Sequence, residues 1–209
     1  MTLDDLLERR RSVRRFKADA LTREDIERLL QAAVSAPSAS NKQPWRWLVV
    51  TNRARIEQLA SAVREATEAV QAAIPEQSQA AFAAYGEYFT RFEHAPCVIV
   101  PICRGHAVLS QLVDATLPSE LRDAVLHMER HSAVVSTSLG LMNLLLKATD
   151  LGFGASAMTG PLVAGDALKE LLGVPESWGI VALVAVGYPD EEPKATTRKA
   201  LQHVVRFID

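Results

Sequence analysis

The sequence contains few cysteines and few aromatic residues. Two cysteines occur in 209 residues, and Phe, Trp and Tyr together make up 6% of the chain. Cys97 and Cys103 are six residues apart in a strand-like segment, so an extended backbone separates them by about 20 Å. A disulfide needs Cα atoms within about 7 Å of each other, which excludes a bond between these two. A reducing, cytoplasmic location is therefore expected.

A long apolar run and a strong net charge are also lacking. No run approaches the roughly 20 residues needed to cross a bilayer, and the acidic start at Thr2–Asp5 predicts no signal peptide. The net charge of -2 gives no reason to expect nucleic acid or a membrane surface as a partner. His127 and His131 are four residues apart, but Glu129 is not at the position that the H-E-x-x-H motif requires. No metal site is predicted.

What the sequence does contain predicts a single α+β domain over residues 1–209. Its 48% hydrophobic content is ordinary for a globular core. Capping boxes at Thr2 and Thr22 predict helices to about Arg9 and to just before Pro37. The patterns predict further helices at Arg55–Ile74, Ala80–Glu93, Leu121–Leu151 and Asp166–Leu172, and strands at Trp45–Val50, Pro96–Ile102, Gly179–Gly187 and His203–Phe207.

Three segments carry more specific expectations. Pro101 predicts an edge or a bend at the far end of its strand, because proline cannot donate to a sheet. The segment Gly105–Pro118 has no clear period and is expected to be a mobile insertion. The second half of the longest helix, Ala133–Leu151, is apolar on nearly every face. Burial on all sides is therefore expected, with a second subunit needed to complete it.

The first candidate site is the segment Arg9–Arg15, which has five arginines in seven residues. It can be a solvated basic surface or, with little weight, a nucleic-acid patch. It can also be an anion cradle, because Arg10 and Arg14 share one side of the chain whether the backbone is helical or extended. Two converging guanidinium groups suit forked hydrogen bonds to a phosphate.

The second candidate is the loop Ala36–Trp45, where polar side chains lie between two prolines. Pro37 and Pro44 disfavour a helix and predict a fixed loop between a helix and a strand. Its serines and Asn41 can simply cap and turn the backbone. Alternatively, Asn41 and Gln43 offer donors and acceptors that suit the mixed edge of a heterocyclic ring.

The third candidate is the segment Leu151–Gly160, which is rich in small residues. Gly152, Gly154 and Ala157 formally fit a G-x-G-x-x-A dinucleotide motif, but a helix precedes them where that motif needs a strand. Ser156 does not fit the G-x-S-x-G nucleophile motif either. The remaining interpretation is a backbone that lies close against a flat ligand.

Taken together and in order, these pieces resemble the FMN-dependent nitroreductase family over nearly the whole chain. Arg10–Phe16 is similar to the family's R-R-S-x-R-x-F element, and Ala36–Trp45 to its A-P-S-x-x-N-x-Q-P-W loop. Leu151–Gly160, Leu172–Pro175 and Val184–Pro189 resemble the C-terminal half, with Arg198 beyond. The resemblance implies a central mixed β-sheet flanked by helices, in an intertwined homodimer with two flavin sites at the interface.

The resemblance also implies roles for single residues. Arg10 and Arg198 would meet the flavin phosphate with help from Ser12, and Arg14 would lie at the pyrimidine edge, where it stabilises the reduced ring. Ser38, Ser40 and Asn41 would reach the flavin from the partner subunit. The full set of implied cofactor-binding residues is Arg10, Arg11, Ser12, Arg14, Pro37, Ser38, Ala39, Ser40, Asn41, Gln43, Ala157, Met158, Thr159, Gly160 and Arg198.

The activity that the resemblance implies is FMN-dependent oxidation of NAD(P)H. The cycle is ping-pong, and a small electron-poor acceptor such as a nitroaromatic or a quinone takes the hydride, without a catalytic residue of the protein. The alternative is a protein of the same fold that binds or processes flavin without NAD(P)H turnover. Residues 76–118 match no element of the family. In particular, the mid-chain Asn or Lys that contacts the flavin edge in the family has no counterpart that we can locate. The aromatic residues at 85–92 can line a pocket or form core.

Overall fold

The helix starts follow the capping boxes of the sequence. In the computed structural model, which describes residues 2–114 and 116–208, Thr2 Oγ1 accepts a hydrogen bond from the Asp5 amide at 3.2 Å. Thr22 Oγ1 accepts one from the Asp25 amide at 3.1 Å. Each bond satisfies a donor that the first helical turn leaves unpaired. Both predicted helix starts are confirmed.

Helices and strands of the described residues together form an α+β fold. The α-helices are α1 (Leu3–Arg9), α2 (Arg23–Val34), α3 (Arg53–Ala73), α4 (Glu76–Gly86), α5 (Ser119–Asp150) and α6 (Gly165–Leu172). The strands are β1 (Trp45–Val50), β2 (Cys97–Cys103), β3 (Gly154–Met158), β4 (Gly179–Ile180) and β5 (Leu183–Gly187). Short 3-10 helices cover Ala39–Asn41, Arg91–His94, Leu109–Gln111, Gly160–Ala164 and Leu201–His203.

The strands form one sheet in the order β1-β2-β5-β3, with β4 paired to β2 beyond the end of β5. All ladders between these strands are antiparallel. The parallel element is an isolated bridge between Ser12 and Ala155, which places the chain after α1 beside β3. The predicted α+β sheet flanked by helices is confirmed. The sheet is antiparallel rather than mixed, because each of its ladders joins strands of opposite direction.

Helices cover both faces of the sheet, so alternate residues of each central strand are buried in different layers. Ile99 and Val184 pack with Leu29 and Leu144, which belong to α2 and α5. Val98, Val100, Leu183 and Ala185 pack on the other side with residues of α3 and α6, including Ile56, Leu59 and Leu168. Double coverage explains why β2 is buried along its whole length.

The strand with Pro101 corrects the expectation of an edge or bend. β2 pairs with β1 throughout, and Pro101 lies opposite Trp47. On the other side β5 ends and β4 begins, and there the Pro101 carbonyl accepts the Val181 amide at 2.9 Å. The missing donor of Pro101 lies where the ladder changes partner, so a proline is tolerated inside a central strand.

Four other predicted elements differ from those observed. The helix expected at Ala80–Glu93 ends at Gly86, and a 3-10 turn follows. The small-residue segment contains strand β3, because its small side chains let it lie between β5 and the chain after α1. The strand expected at Gly179–Gly187 is divided into β4 and β5. The strand predicted at His203–Phe207 is wrong, since this part of the tail has a 3-10 turn and no strand.

Helix α5 is buried along one stripe rather than on all sides. Gly140 and Leu144 face the core, and a Cβ added at Gly140 would lie 2.8 Å from the Ala33 carbonyl oxygen of α2. On other faces Val134, Val135 and Leu139 are each 44% exposed. Exposed apolar residues also occur on α1 (Leu3, Leu7) and in the tail (Leu201, Phe207, Ile208).

The two cysteines lie at opposite ends of β2 and are both free, as the spacing predicts. Burial raises the pKa of the Cys97 thiol to about 12, which keeps it protonated and unreactive at neutral pH. Among the described helices, none combines the length and the apolar character that a bilayer-spanning segment needs. The described His, Cys, Asp and Glu residues form no cluster of three or more that could hold a metal ion.

Candidate functional site

The fold brings the arginine-rich segment and the small-residue segment together. After α1, Ser12 forms the bridge with Ala155, and the Val13 amide donates to the Ala155 carbonyl at 3.1 Å. A Cβ added at Gly154 would lie 2.6 Å from Val13 Cγ1, so glycine is required for this approach. Two of the three motifs recognised in the sequence therefore lie side by side.

A carboxylate fixes the far end of the arginine-rich segment. Glu191 Oε1 accepts the Arg14 amide at 2.6 Å and the Arg15 amide at 3.0 Å. The Asp190 amide donates to the Arg15 carbonyl at 3.0 Å. Because Glu191 binds the backbone, the guanidinium of Arg14 stays available for other contacts.

The guanidinium group of Arg14 lies near an aromatic ring that a second arginine also contacts. The sequence motifs did not identify this second arginine. The guanidinium carbon of Arg14 lies 5.6 Å from the centroid of the Tyr88 ring, and that of Arg91 lies 4.1 Å from the same centroid. Cations within about 6 Å of a ring face are held by its quadrupole. Arg91 precedes β2 in a stretch without a motif, and only the fold places it near Arg14.

The aromatic residues around Tyr88 divide between core and surface. Phe89 and Phe92 are buried, as expected of core residues, and Gly160 packs directly on the Phe89 ring. Gly160 is thus required by a neighbouring side chain. Tyr85 and Tyr88 are 63% and 44% exposed, so a part of their surface can meet a ligand.

Arg11 is turned back toward its own helix. Its Nη1 donates to the Arg10 carbonyl at 2.9 Å and also to the Glu8 carbonyl. These contacts satisfy carbonyl groups at the end of α1. Within the arginine-rich segment, Arg11 therefore stabilises the helix end. The side chains of Arg10 and Arg14 make no such hydrogen bonds to residues 2–114 and 116–208.

The polar loop between the prolines has an unusual backbone. Ser40, Asn41 and Gln43 have φ values of 49°, 51° and 46°, in the left-handed region that residues with a Cβ rarely adopt. Such strain is found where ligands are bound and must be supported by the surroundings. Here Ser38 Oγ accepts the Gln43 amide at 3.0 Å, and Ser136 Oγ of α5 accepts the Ala39 amide at 3.2 Å.

The side chains of this loop lie at the surface. Pro37 and residues 39–43 are exposed, and Gln43 Nε2 donates to Asn41 Oδ1 at 3.3 Å. The described hydrogen bonds of the loop go to itself, to α2, to α5 and, through the Pro44 carbonyl, to the Arg104 amide. None of them joins the loop to the arginine-rich segment. One chain thus carries two separate groups of the predicted residues.

A cavity of about 260 Å³ adjoins the loop. Three walls surround it: the loop, the insertion after β2, and α5. Its lining residues are Ala39, Ser40, Lys42, Pro44, His106, Val108, Leu109, Met128, Glu129, Ser132, Ala133 and Ser136.

Glu129 holds the insertion wall of this cavity against α5. Its Oε1 accepts the amides of Val108, Leu109 and Ser110 at 2.8, 2.7 and 3.1 Å, and its Oε2 accepts the Ser110 hydroxyl at 2.7 Å. These bonds, that of the Ser110 side chain first, lower the pKa of Glu129 to about 2. The segment expected to be a mobile insertion therefore has a defined anchor.

Replacing Glu129 with glutamine is expected to loosen this wall. The amide keeps one acceptor oxygen but loses the charge that strengthens all four bonds. Hydrogen exchange at residues 108–110 should become at least several-fold faster, while exchange in β2 stays unchanged. Because the pKa of Glu129 is lowered, its stabilising contribution is complete above about pH 4.5 and is lost as the pH falls toward about 2. Identical exchange in both proteins at pH 7 contradicts the anchor role.

Comparison with known proteins identifies the family of the chain. A sequence model described as the Nitroreductase family matches residues 7–188. The chain belongs to the nitroreductase family. This membership places it among the flavoenzyme oxidoreductases.

Over most of its length, the chain is similar to two relatives in sequence and to one solved structure. It is 32% identical to 5,6-dimethylbenzimidazole synthase of Rhodospirillum rubrum, over 91% of this chain and 83% of that protein. It is 33% identical to an NADH dehydrogenase of Thermus thermophilus, over 94% of this chain and 91% of that protein. A BluB-like flavoprotein from Clostridium difficile 630 superposes with a TM-score of 0.85 at 24% identity, and each chain is covered completely.

The remaining predicted residues of this nitroreductase family member lie at two places. Ala157 and Met158 end β3, Ala157 being exposed and Met158 buried, and Thr159 precedes the turn that begins at Gly160. Arg198 lies in the exposed tail, where its Nη1 donates to Thr196 Oγ1 at 2.6 Å and to the Thr197 carbonyl at 3.1 Å. No described hydrogen bond connects Arg198 with Arg10.

Proposed function

We propose that the protein is an FMN-dependent NAD(P)H oxidoreductase of the nitroreductase type. When bound, FMN supplies hydride chemistry, in which NAD(P)H is oxidised first and an electron-poor acceptor such as a nitroaromatic or a quinone is reduced afterwards. The observation that carries this proposal is the bridge between Ser12 and Ala155. It places the arginine-rich segment, with Arg10 and Arg14, beside a strand of small residues.

The donor set fits such a group. Arg10, with a free guanidinium, and the hydroxyl of Ser12 suit a phosphate, because guanidinium groups donate forked, charge-assisted hydrogen bonds. Arg14 and Arg91, which flank Tyr88, suit the pyrimidine edge, where negative charge develops on reduction. A fixed cation there stabilises that charge without reorganisation. In this proposal, Arg91 makes the mid-chain contact to the flavin edge. The family makes this contact with an Asn or Lys that the sequence does not show.

A homodimer completes the site in this proposal. The loop Pro37–Gln43 of one subunit contributes Ser38, Ser40 and Asn41 to the flavin of the other, together with Pro37, Ala39 and Gln43. The exposed apolar residues of α1, α5 and the tail are the surface that the second subunit covers, because patches of this kind mark interaction sites. In the dimer, Arg198 is brought to the flavin phosphate by movement of the tail onto the partner.

A second candidate function has support from the relatives. The similarity to 5,6-dimethylbenzimidazole synthase and to a BluB-like flavoprotein favours a protein that binds or processes flavin without NAD(P)H turnover. The similarity to an NADH dehydrogenase favours the first candidate. The two candidates differ in a single observable, which is the consumption of NAD(P)H.

The test begins with the absorbance spectrum of the purified protein. We expect yellow protein that releases FMN on denaturation, and anaerobic bleaching of the flavin band by NADH or NADPH. Addition of a nitroaromatic or quinone should then restore the oxidised spectrum. Colourless protein that FMN cannot reconstitute overturns both candidates. Bound or consumed FMN that neither nicotinamide nucleotide reduces selects the second.

A further inference from the structure

The cavity beside the strained loop has the size and lining of a site for one small aromatic molecule. Its volume of about 260 Å³ exceeds the roughly 150 Å³ that suffices for benzene in an engineered protein cavity. Apolar side chains on all three walls, among them Ala39, Leu109 and Met128, can contact the faces of a ring. A single substituted ring therefore fits in this volume.

The acidic side chain of the cavity is occupied. Both oxygens of Glu129 accept hydrogen bonds from the insertion, at distances of 2.7 to 3.1 Å. Its charge is directed at backbone amides, so it offers no free oxygen to a ligand cation. The lining residues Val108 and Leu109 are instead held in place by it.

The basic side chain of the cavity is free. Lys42 lines the cavity, and its ammonium group has no hydrogen-bond or ion-pair partner among residues 2–114 and 116–208. His106 also lines the cavity. An imidazole ring carries nitrogen atoms that can donate or accept a hydrogen bond with a polar substituent.

We propose that this cavity is the acceptor site and that it selects small aromatic acceptors with an anionic substituent, which pairs with Lys42. His106 and the serine hydroxyls provide further polar contacts to the ring substituents. The proposal rests on the proposed function, because Ser40 both lines the cavity and belongs to the loop that reaches the partner's flavin. It adds the charge class of the acceptor, which the family motifs leave open.

The test compares two acceptors of nearly equal size and different charge, 4-nitrobenzoate and 4-nitrobenzamide. With the FMN-loaded protein, kcat/KM is expected to be about tenfold higher for the anion, since a charged hydrogen bond at a partly exposed site is worth about one factor of ten. In Lys42→Ala the ratio should fall toward one. Arg23→Ala removes the same charge from an exposed position of α2 and should keep the ratio.

A binding measurement separates this proposal from the proposed function. Saturation-transfer NMR with benzoate and benzamide reports binding without turnover, in the presence and absence of FMN. If the protein binds benzoate through Lys42 but takes up no FMN, the proposed ligand site in the cavity is supported and the proposed oxidoreductase function is overturned. If the protein turns over both acceptors with equal preference, the oxidoreductase function is supported and the selectivity of the cavity for anions is overturned. Displacement of benzoate by FMN assigns the cavity to the flavin and overturns the acceptor site.

Discussion

Replacing Arg10 with alanine is expected to raise the dissociation constant for FMN by roughly ten- to a hundredfold. In the proposed site, Arg10 donates to the phosphate, and a charge-assisted hydrogen bond contributes about 1.5 to 3 kcal/mol. The fold should remain intact, because the Arg10 side chain makes no described hydrogen bond to another residue. Fluorescence titration of the apoprotein with FMN measures the change.

Arg14→Ala provides the contrast to this variant. Its loss should slow the reduction of bound flavin about tenfold while FMN affinity changes less, because in the proposed site Arg14 faces the ring edge, and Arg91 remains beside Tyr88. Stopped-flow reduction by NAD(P)H at saturating FMN measures the rate. Arg23→Ala again serves as the control for loss of one surface charge. Equal effects of the two variants on affinity and on rate are incompatible with separate roles for Arg10 and Arg14.

Replacing Leu139 with glutamate is expected to dissociate the proposed homodimer. Leu139 is 44% exposed on the apolar side of α5, in a helix whose opposite stripe is fully packed. In the proposed interface the new carboxylate would be buried without a partner, which costs several kcal/mol and raises the dimer dissociation constant at least about a hundredfold. Because the proposed flavin site takes residues from both subunits, FMN should be released together with the partner.

Sedimentation velocity and flavin absorbance test this expectation in one experiment. The matched control is Val70→Glu, which places the same charge at a 37% exposed apolar residue of α3. The control should remain dimeric and yellow. A Leu139→Glu protein that stays dimeric with FMN bound excludes α5 as the interface. A monomer that retains FMN with unchanged affinity contradicts the shared site.

Local signals in the sequence were sufficient for most of the fold. Thr2 and Thr22 determined two helix starts, because a capping box depends on residues three positions apart. Trp45–Val50 forms the predicted strand. Where the sequence misled, the cause was tertiary: Pro101 is accommodated in a central strand only because β4 replaces β5 at that point.

The motifs of the sequence also predicted which residue types would serve the proposed site, and they correctly indicated the family. Arg10, Ser12 and Arg14 carry hydrogen-bond donors that suit a phosphate or a ring edge. Guanidinium and hydroxyl groups are donors in any surroundings, so the residue type alone is enough to predict this. Only the tertiary structure decided that Ser12 lies beside Ala155, that Arg91 joins Arg14 at Tyr88, and that Glu129 fixes a cavity wall beside Lys42. Such contacts join residues far apart in the chain, and their distances depend on packing that no local pattern encodes.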